Sequence, residues 1–395
     1  MKLIYITQHF SSKSGLTRPY EISKHLKKLG WEILVVCGEN KDDVTDIVVK
    51  TTRTKYNQKY GFVKRVLSFV HYMLKSILLA LKEKDVDAVY ASSPPITVGI
   101  AGALVAKMKH RSFIFEVRDV WPDAPIQLGF IQNRILQKIM IRIERWLYKA
   151  ADQIIVLSPA MEKNLVKKGV DVKKIKVISN FAHLDRFRKW GGLDARKQVE
   201  KQYPELEEKC ICLYPGTFGF ANNLDFILDV ATTFYNPNIA YVLIGDGKEK
   251  ENLVKRVKKE NIQNVFILDG VSKESVYAWI AACDVGMVIL GDYPVLHENS
   301  SNKFFDYLAA GKPVILNFEG WQSQLLAEYK AGFGVRAEHK EAFYEILKSL
   351  QEDLEQRKQM GKNAKTLAQQ FFERNQLLNQ LEGVLTHQVG KGKGK

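Results

Sequence analysis

Apolar and polar positions along the chain predict strands and helices in regular succession. Short apolar runs alternate with longer segments in which apolar residues recur every three or four positions, the pattern of amphipathic helices. Strands that alternate with helices pair in parallel and are covered by helices on both faces. The predicted strands are 2–7, 32–37, 88–91, 112–117, 153–157 and 176–178 in the first half, and 211–214, 240–244, 265–268, 285–290, 313–316 and 334–335 in the second.

The two sets of strands predict an α/β protein with two doubly wound domains. A chain of 395 residues exceeds the size at which one core keeps growing, and the charged segment 188–209, broken by glycines and a proline, is the predicted linker. The predicted parts are an N-terminal domain (1–190), a C-terminal domain (205–370), a helix that packs back on the N-terminal domain (371–388) and a disordered basic tail (389–395). Ligands of such sheets bind outside the carboxyl ends of the strands.

Composition narrows the class of protein. With 46% hydrophobic and 26% charged residues, the chain is an ordinary globular protein rather than a disordered or fibrous one. Four cysteines, Cys37, Cys210, Cys212 and Cys283, lie in or beside apolar runs without metal-like spacing and are predicted to be reduced core residues. The chain starts with a strand instead of a signal peptide, so a cytoplasmic location is expected.

Charge is unevenly distributed. Residues 1–200 carry a net charge of +17 and the remainder −2, which favours a polyanionic partner, either nucleic acid or an anionic membrane, over a merely solvated surface. Residues 62–84 have a broad apolar face and nearby cations, but charges interrupt them too often for the roughly 20 apolar residues that a span needs. The segment is predicted either to lie in a membrane interface or to pack in the core.

Two loops of the first half have candidate chemistry. The loop after the first strand contains Gly15 and leads into a helix, a place where anions bind. It lacks the G-x-G-x-x-G pattern, which argues against a nicotinamide-type dinucleotide; a solvated loop is the alternative. After the strand 112–117, Arg118 could bind phosphate and Asp119 could bind a hydroxyl or transfer a proton. The alternative is a helix cap with an internal ion pair.

Three segments of the second half predict a phosphate and sugar site. Glycine-containing loops follow two consecutive strands, and their backbone amides could approach a pyrophosphate. The residues concerned are Gly216, Thr217, Phe218 and Gly219 in one loop and Gly245, Asp246 and Gly247 in the other.

The third segment contains Glu298, Asn302, Lys303 and Asp306. Asn302 and Lys303 fall at a predicted helix start, where the dipole and a mobile cation favour an anion. The two acids could meet a polyhydroxylated ligand from two sides. The alternative is an ordinary capped helix before a core strand.

These motifs resemble those of the retaining glycosyltransferases of family 4, and in particular the bacterial enzymes that build O-antigen and capsular polysaccharides. The resemblance spans nearly the whole chain and rests on segments 92–95 (SSPP), 116–122 (EVRDVWP), 151–158 (ADQIIVLS), 245–247 (GDG) and 302–314 (NKFFDYLAAGKPV), of which the last is the most specific. It implies the GT-B fold, with two Rossmann-like domains facing a central cleft.

The resemblance also implies roles for single residues. In the family's E-x7-E element one acid lies near the donor sugar and the second binds the nucleotide ribose, and Glu298 and Asp306 have that spacing. Many members hold the diphosphate with an arginine and a lysine in the loop where this chain has Thr217, so Lys303 is expected to carry more of that task. Arg118 and Asp119 stand where many members have a histidine, and they are expected to line the cleft.

The function implied is transfer of a hexosyl or N-acetylhexosaminyl group, with retention, from a nucleotide-diphosphate sugar, expected to be a UDP-sugar. No cofactor and no metal are expected, and no nucleic acid partner. The expected acceptor is a lipid-pyrophosphate-linked glycan or an oligosaccharide, reached by peripheral binding to the inner leaflet of the plasma membrane through the basic half. A nucleotide-sugar 2-epimerase of the same fold and a non-catalytic membrane- or nucleic-acid-binding module are the alternatives.

Overall fold

The computed structural model of the chain describes residues 1–12, 17–38, 46–54, 61–188 and 192–392. Contacts divide the chain into two compact units. The first consists of Met1–Ser179 together with Asn375–Lys395, and the second of Asn180–Arg374. No helix within the described ranges is both long enough and apolar enough to cross a membrane.

The first unit is built on a seven-stranded sheet in which every paired neighbour is parallel. Its strands are β1 (Lys2–Thr7), β2 (Glu32–Cys37), β3 (Val48–Thr51), β4 (Ala88–Ser92), β5 (Ser112–Val117), β6 (Gln153–Val156) and β7 (Ile175–Val177), in the order β3-β2-β1-β4-β5-β6-β7. Its helices include α1 (Arg18–Lys28), α2 (Phe62–Leu81), α3 (Ile96–Lys109), α4 (Asp123–Gln127), α5 (Arg134–Ala150) and α6 (Pro159–Lys167).

The second unit repeats this architecture with a six-stranded parallel sheet. Its strands are β8 (Cys210–Pro215), β9 (Ile239–Ile244), β10 (Val265–Leu268), β11 (Val285–Val288), β12 (Val314–Leu316) and β13 (Gly332–Gly334), in the order β10-β9-β8-β11-β12-β13. Its helices are α7 (Leu184–Phe187), α8 (Gly192–Gln202), α9 (Asp225–Thr233), α10 (Lys250–Lys259), α11 (Lys273–Ala282), α12 (Pro294–His297), α13 (Asn302–Ala310), α14 (Trp321–Glu328), α15 (Lys340–Glu352) and α16 (Leu354–Phe371). A last helix, α17 (Arg374–Gly392), carries the chain back into the first unit.

The predicted parallel α/β class is confirmed, and each predicted strand is present within a residue or two. The sequence pattern missed β3, because this four-residue edge strand has no fully buried position and hence no apolar run. All four cysteines are buried and free, as predicted.

The segment predicted as a linker contains an ordered helix instead. Arg196 on α8 donates to Asp284 (2.7 Å), to Glu200 (2.5 Å) and to the carbonyl of Lys209 (2.6 Å). The charges that suggested a solvated linker therefore pair with one another and attach this helix to the second sheet.

The last helix packs against the amino ends of β5 and β6 in the first unit. Ser112 on β5 donates its hydroxyl to the carbonyl of Gln388 (3.0 Å), and the Gln388 amide donates to Gln153 on β6 (2.9 Å). Its buried apolar side chains are Leu377, Leu378, Leu381, Leu385 and Val389. The predicted disordered tail therefore starts too early, because the helix continues to Gly392.

Candidate functional site

Two glycine loops of the second unit interlock at the carboxyl ends of β8 and β9. The amide of Gly216 donates to Ile244 O and that of Phe218 to Asp246 O, both at 2.9 Å. A Cβ at Gly245 would lie 1.8 Å from Gly216 O. Only glycine allows so close an approach of two backbones, which explains its presence there.

This interlocking changes which amides can serve an anion. The sequence predicted that the backbone of all four residues 216–219 would cradle a pyrophosphate. Two of the four amides already donate to protein carbonyls, whereas within the described residues the amides of Thr217 and Gly219 donate to none.

Helix α13 packs against the same sheet. It begins at Asn302 without a side-chain cap from Ser301 and ends at Ala310, and the next residue, Gly311, has a φ of 70° that only glycine adopts readily. In its middle, Tyr307 donates its hydroxyl to Leu213 O (2.6 Å) on β8. The uncapped amino terminus of this helix therefore points its free amides and dipole at a fixed place.

Lys303, in the first turn of α13, reaches across to the loop after β8. Its ammonium lies 3.7 Å from the ring centroid of Tyr214, a cation–π contact, and a Cβ built on Gly216 would lie 3.0 Å from its Nζ. Burial lowers the pKa of Lys303 to about 7. The lysine, the glycine loop and the helix terminus predicted from separate segments are thus brought together.

Asp306 lies one turn further along α13 and is buried. Burial raises the pKa of its carboxyl to about 6, although the nearby positive charges of Lys273 and Arg186 act in the opposite direction. Arg186 donates to the hydroxyl of Tyr277 and also stacks over its ring at 5.0 Å. A cationic and aromatic cluster on α7 and α11 therefore adjoins this acid.

The loop between α12 and α13 contains Glu298, which is partly buried at the end of α12. Trp321 donates to Asn299 O (3.2 Å) and Asn180 donates to Ser300 O (2.6 Å), so the backbone of this loop is held from two sides. Within the described ranges, Asn299 Oδ1 and Ser300 Oγ are buried without a hydrogen-bond partner. Such groups suit a ligand that is rich in hydroxyls.

In the first unit, Arg118 and Asp119 follow β5 as predicted. The amide of Arg118 donates to Ser93 Oγ (3.2 Å), and its Nε has no hydrogen-bond partner in the part of the chain that the structure describes. Burial raises the pKa of Asp119, against the opposing charge of Arg118. Gly15, the remaining predicted residue, lies outside the described residues.

A buried ion pair lies beneath this pair of residues. Arg18 donates to Glu116 (2.7 Å) and to the carbonyls of Ser179 (2.7 Å) and Ile178 (2.9 Å), while Ser92 donates to the other carboxylate oxygen of Glu116 (2.5 Å). Burial alone would raise the pKa of Glu116, but the charges of Arg18 and Arg118 lower it below its usual value. The pair connects the ends of β4, β5 and β7 with the start of α1.

Both halves of the chain match models of known protein families. The model of "Glycosyltransferase Family 4" matches residues 17–186, and that of "Glycosyl transferases group 1" matches residues 195–367. This chain belongs to glycosyltransferase family 4. The predicted family is confirmed, and with it the GT-B class of the two parallel sheets.

Relatives and solved structures agree with the assignment. The chain is 23% identical over 62% of its length to the probable glycosyltransferase WbjE of Pseudomonas aeruginosa, and 20% identical over 58% of its length to the putative colanic acid biosynthesis glycosyl transferase WcaI of Escherichia coli. The matches span 61% and 57% of those proteins. A sucrose-phosphate synthase from Thermosynechococcus elongatus shares the fold with a TM-score of 0.78 at 16% identity, each chain being covered to 99%.

The sequence pattern missed several residues around the candidate site. Tyr214 looked like the last apolar residue of a strand, yet its ring faces Lys303. Arg18 and Glu116 are 98 positions apart and gave no local signal of pairing. Arg186 and Tyr277 also gave no local signal of pairing, because they are far apart in sequence. Arg186 affects the pKa of Asp306, which is likewise distant from it along the chain.

Proposed function

We propose that this protein transfers a hexosyl or N-acetylhexosaminyl group, with retention of anomeric configuration, from a nucleotide-diphosphate sugar to a lipid-linked or oligosaccharide acceptor in bacterial cell-surface polysaccharide synthesis. The observation that carries the proposal is the position of Lys303, whose ammonium lies beside Gly216 and the ring of Tyr214 at an uncapped helix start. A cation, free amides and a helix dipole in one place are what a departing diphosphate requires.

In this proposal different residues of the second unit bind different parts of the donor. Lys303 and the amides of Thr217, Gly219 and Asn302 bind the diphosphate, and Asp306 accepts hydrogen bonds from the ribose hydroxyls. Glu298 and the polar loop 299–301 contact the transferred sugar. Asp246 and Gly247 belong to the neighbouring loop, which packs against the backbone of Gly216 and Phe218.

The reaction then needs little acid or base chemistry from side chains. As the bond between the anomeric carbon and the phosphate oxygen breaks, Lys303 and the helix terminus stabilise the negative charge on the diphosphate. The acceptor hydroxyl gives its proton to the leaving phosphate oxygen, and its own oxygen bonds to the anomeric carbon on the face that the phosphate leaves, which gives retention. Arg118 and Asp119 of the first unit are proposed to contact substrate, and the transfer is proposed to be independent of metal.

Similar proteins support UDP as the nucleotide and a lipid-linked acceptor. Anabaena HepE, which matches with a TM-score of 0.75 at 17% identity, covering 98% of this chain and 100% of its own, was solved with UDP and glucose. A Campylobacter jejuni relative, 23% identical over 75% of this chain and 78% of its own length, is an N-acetylgalactosaminyltransferase that acts on a diphospho-undecaprenol-linked sugar.

Two helices of the first unit support peripheral binding to an anionic membrane. Along one face of α2, Val66, Leu67, Val70, Leu74 and Leu78 are exposed, and on α5 the exposed apolar residues are Ile135, Ile139 and Trp146. Both helices pack against α3, so they belong to the same layer on the sheet. Lys64 and Lys75 on α2, and Lys138, Arg142, Arg145 and Lys149 on α5, supply cations beside these apolar faces.

The function is tested with purified protein, a panel of nucleotide sugars and polyprenyl-diphosphate-linked acceptors. A donor is identified by the thermal stabilisation it causes, since a bound ligand stabilises the fold by mass action. The expected result is acceptor-dependent release of nucleoside diphosphate and a product whose anomeric configuration, read from proton NMR couplings, equals that of the donor. Conversion of the donor to its 2-epimer without acceptor, or an inverted product, would overturn the proposal.

A further inference from the structure

A pocket of the second unit adjoins the proposed donor loop, residues 216–219. It is a cavity of about 510 Å³ between the loop that follows β8, the start of α10 and the loop that follows β11. It shares Phe218 and Gly219 with the proposed donor loop, and it is further lined by Phe220, Asn223, Asp292 and Tyr293. A ligand in this pocket would therefore lie next to a bound diphosphate.

Two aromatic rings form one wall of the pocket. The ring centroids of Phe220 and Tyr293 are 6.1 Å apart at 48°, and Phe220 is 54% exposed. Gly291 donates its amide to Ala221 O (2.8 Å), which ties the two loops that carry the rings. A Cβ at Gly291 would come within 3.1 Å of the Tyr293 ring, so this ring packs closely on the Gly291 backbone.

Carboxylates form the polar part of the lining. Asp292 is exposed at the rim, and Asp225 and Glu249 stand at the starts of α9 and α10. Asp225 already accepts from Arg256 (2.8 Å) and Glu249 from Asn252 (3.2 Å), but each carboxylate has further acceptor capacity. No lysine or arginine is among the lining residues, all of which the structure describes.

The aromatic wall and the carboxylates of the pocket favour a neutral polyhydroxylated ligand. Three carboxylates without a lining cation disfavour phosphate and other anions. The C–H groups of a pyranose ring can pack on an exposed aromatic face, and carboxylate and amide oxygens can accept hydrogen bonds from its hydroxyls. An apolar wall with a few well-placed polar groups is typical of small-molecule sites.

We infer that this pocket is a saccharide subsite that binds a neutral sugar ring of the acceptor, next to the proposed donor diphosphate. The inference rests on the proposed function, because it assigns the sugar to the acceptor. Phe220 and Tyr293 contact the ring faces, and Asp292 and Asn223 bind its hydroxyls. The residues position the acceptor and take no part in bond breaking.

The test uses the full chain and saturation-transfer NMR with methyl glycosides of glucose, galactose, N-acetylglucosamine, N-acetylgalactosamine, rhamnose and fucose. At least one glycoside should receive saturation from the wild-type protein. Phe220→Ala and Tyr293→Ala should each reduce that transfer about fivefold or more, as expected when an aromatic contact is lost, and Asp292→Asn should reduce it as well.

Two controls separate this inference from the donor site. Tyr235→Ala removes another aromatic residue of the second unit with the same exposure of 54%, outside the pocket, and should leave glycoside binding unchanged. UDP binding, measured by calorimetry, should be unaffected by Phe220→Ala. Glycoside signals that persist in the aromatic variants, or a wild-type protein that binds none of the six glycosides, would overturn the subsite. Failure of UDP to bind the wild-type protein while glycosides bind normally would count against the proposed donor site instead.

Discussion

Lys303 is the residue whose charge the proposed donor site depends on most. Burial lowers its pKa to about 7, so in the free protein the ammonium loses its proton as the pH rises above neutrality. A diphosphate binds the charged form, and binding above pH 7 must therefore take up a proton. Affinity for UDP should fall as the pH rises from about 7 to about 9.

Replacing Lys303 tests this dependence directly. Lys303→Met should weaken UDP binding about tenfold to a hundredfold near pH 7, the loss of a charge-assisted contact, and should abolish most of the pH dependence between about 7 and 9. Calorimetric titration at several pH values measures both effects. Lys312 follows Gly311, just beyond the opposite end of α13. Lys312→Met is the matched control and should bind UDP like the wild type. Equal pH dependence in Lys303→Met would refute the assignment.

Asp306 provides a second prediction at the residue scale. Because its pKa is raised to about 6, the carboxylate that accepts ribose hydrogen bonds is present above pH 6 and is lost as the pH falls through that value. Asp306→Asn should thus cost about tenfold in UDP affinity near pH 8 and much less near pH 5. Asp306→Glu should restore most of the affinity, and Asp269→Asn, an exposed loop acid, should have no effect. A penalty that stays constant with pH would argue against a charged role.

The sequence predicted Lys303 and Asp306 because a helix start is a local pattern, and the structure places both as that pattern requires. It could not predict that Tyr214 faces Lys303, since that contact depends on how α13 packs against β8. Nor could it predict that two of the four loop amides are used inside the protein, because their acceptors lie on the next strand. Whether these residues bind a donor stays a prediction.

At the scale of elements, the seating of α13 on β11 depends on one glycine. A Cβ at Gly286 would lie 2.3 Å from the Tyr307 ring, and that ring cannot retreat without breaking its bond to Leu213 O. Gly286→Ala should lower the free energy of unfolding by about 1–3 kcal/mol through overpacking. Urea unfolding measures this loss, with Gly383→Ala on α17, where a Cβ meets nothing within 4 Å, as the control.

Helix α2 gives a prediction about the proposed membrane surface. The triple substitution Leu67→Ser, Leu74→Ser and Leu78→Ser removes side chains that are 63%, 53% and 61% exposed, so it should leave the fold intact. It should greatly reduce co-sedimentation with vesicles that contain anionic lipid. Leu354→Ser, at an equally exposed site of the second unit, should sediment like the wild type. Undiminished binding of the triple variant would rule out α2 as the anchor.

The periodic pattern predicted most elements because helices and central strands bury a continuous face. It failed where burial is weak, as at β3, and where charges pair internally, as at α8. For α2 the pattern left two readings open. The structure shows that one side packs against α3 while the leucines of the other remain exposed.

At the scale of the whole molecule, the first unit depends on its last helix. Leu381 and Leu385 on α17 are fully buried, so Leu381→Ala and Leu385→Ala should each cost about 2–5 kcal/mol. Hydrogen exchange should show the loss of protection in β5 and β6, whereas β8 and β9 of the second unit should exchange as in the wild type. Loss of protection that extends equally to both sheets would contradict this assignment of the helix.

The position of α17 also sets the order in which the protein can be completed during translation. The second unit is one continuous segment, Asn180–Arg374, set between the two parts of the first. A ribosome that has released the whole second unit has not yet supplied Gln388, the partner of Ser112 and Gln153. The unit whose synthesis begins first is therefore the last to be finished, and until then the surface that α17 covers on it stays open.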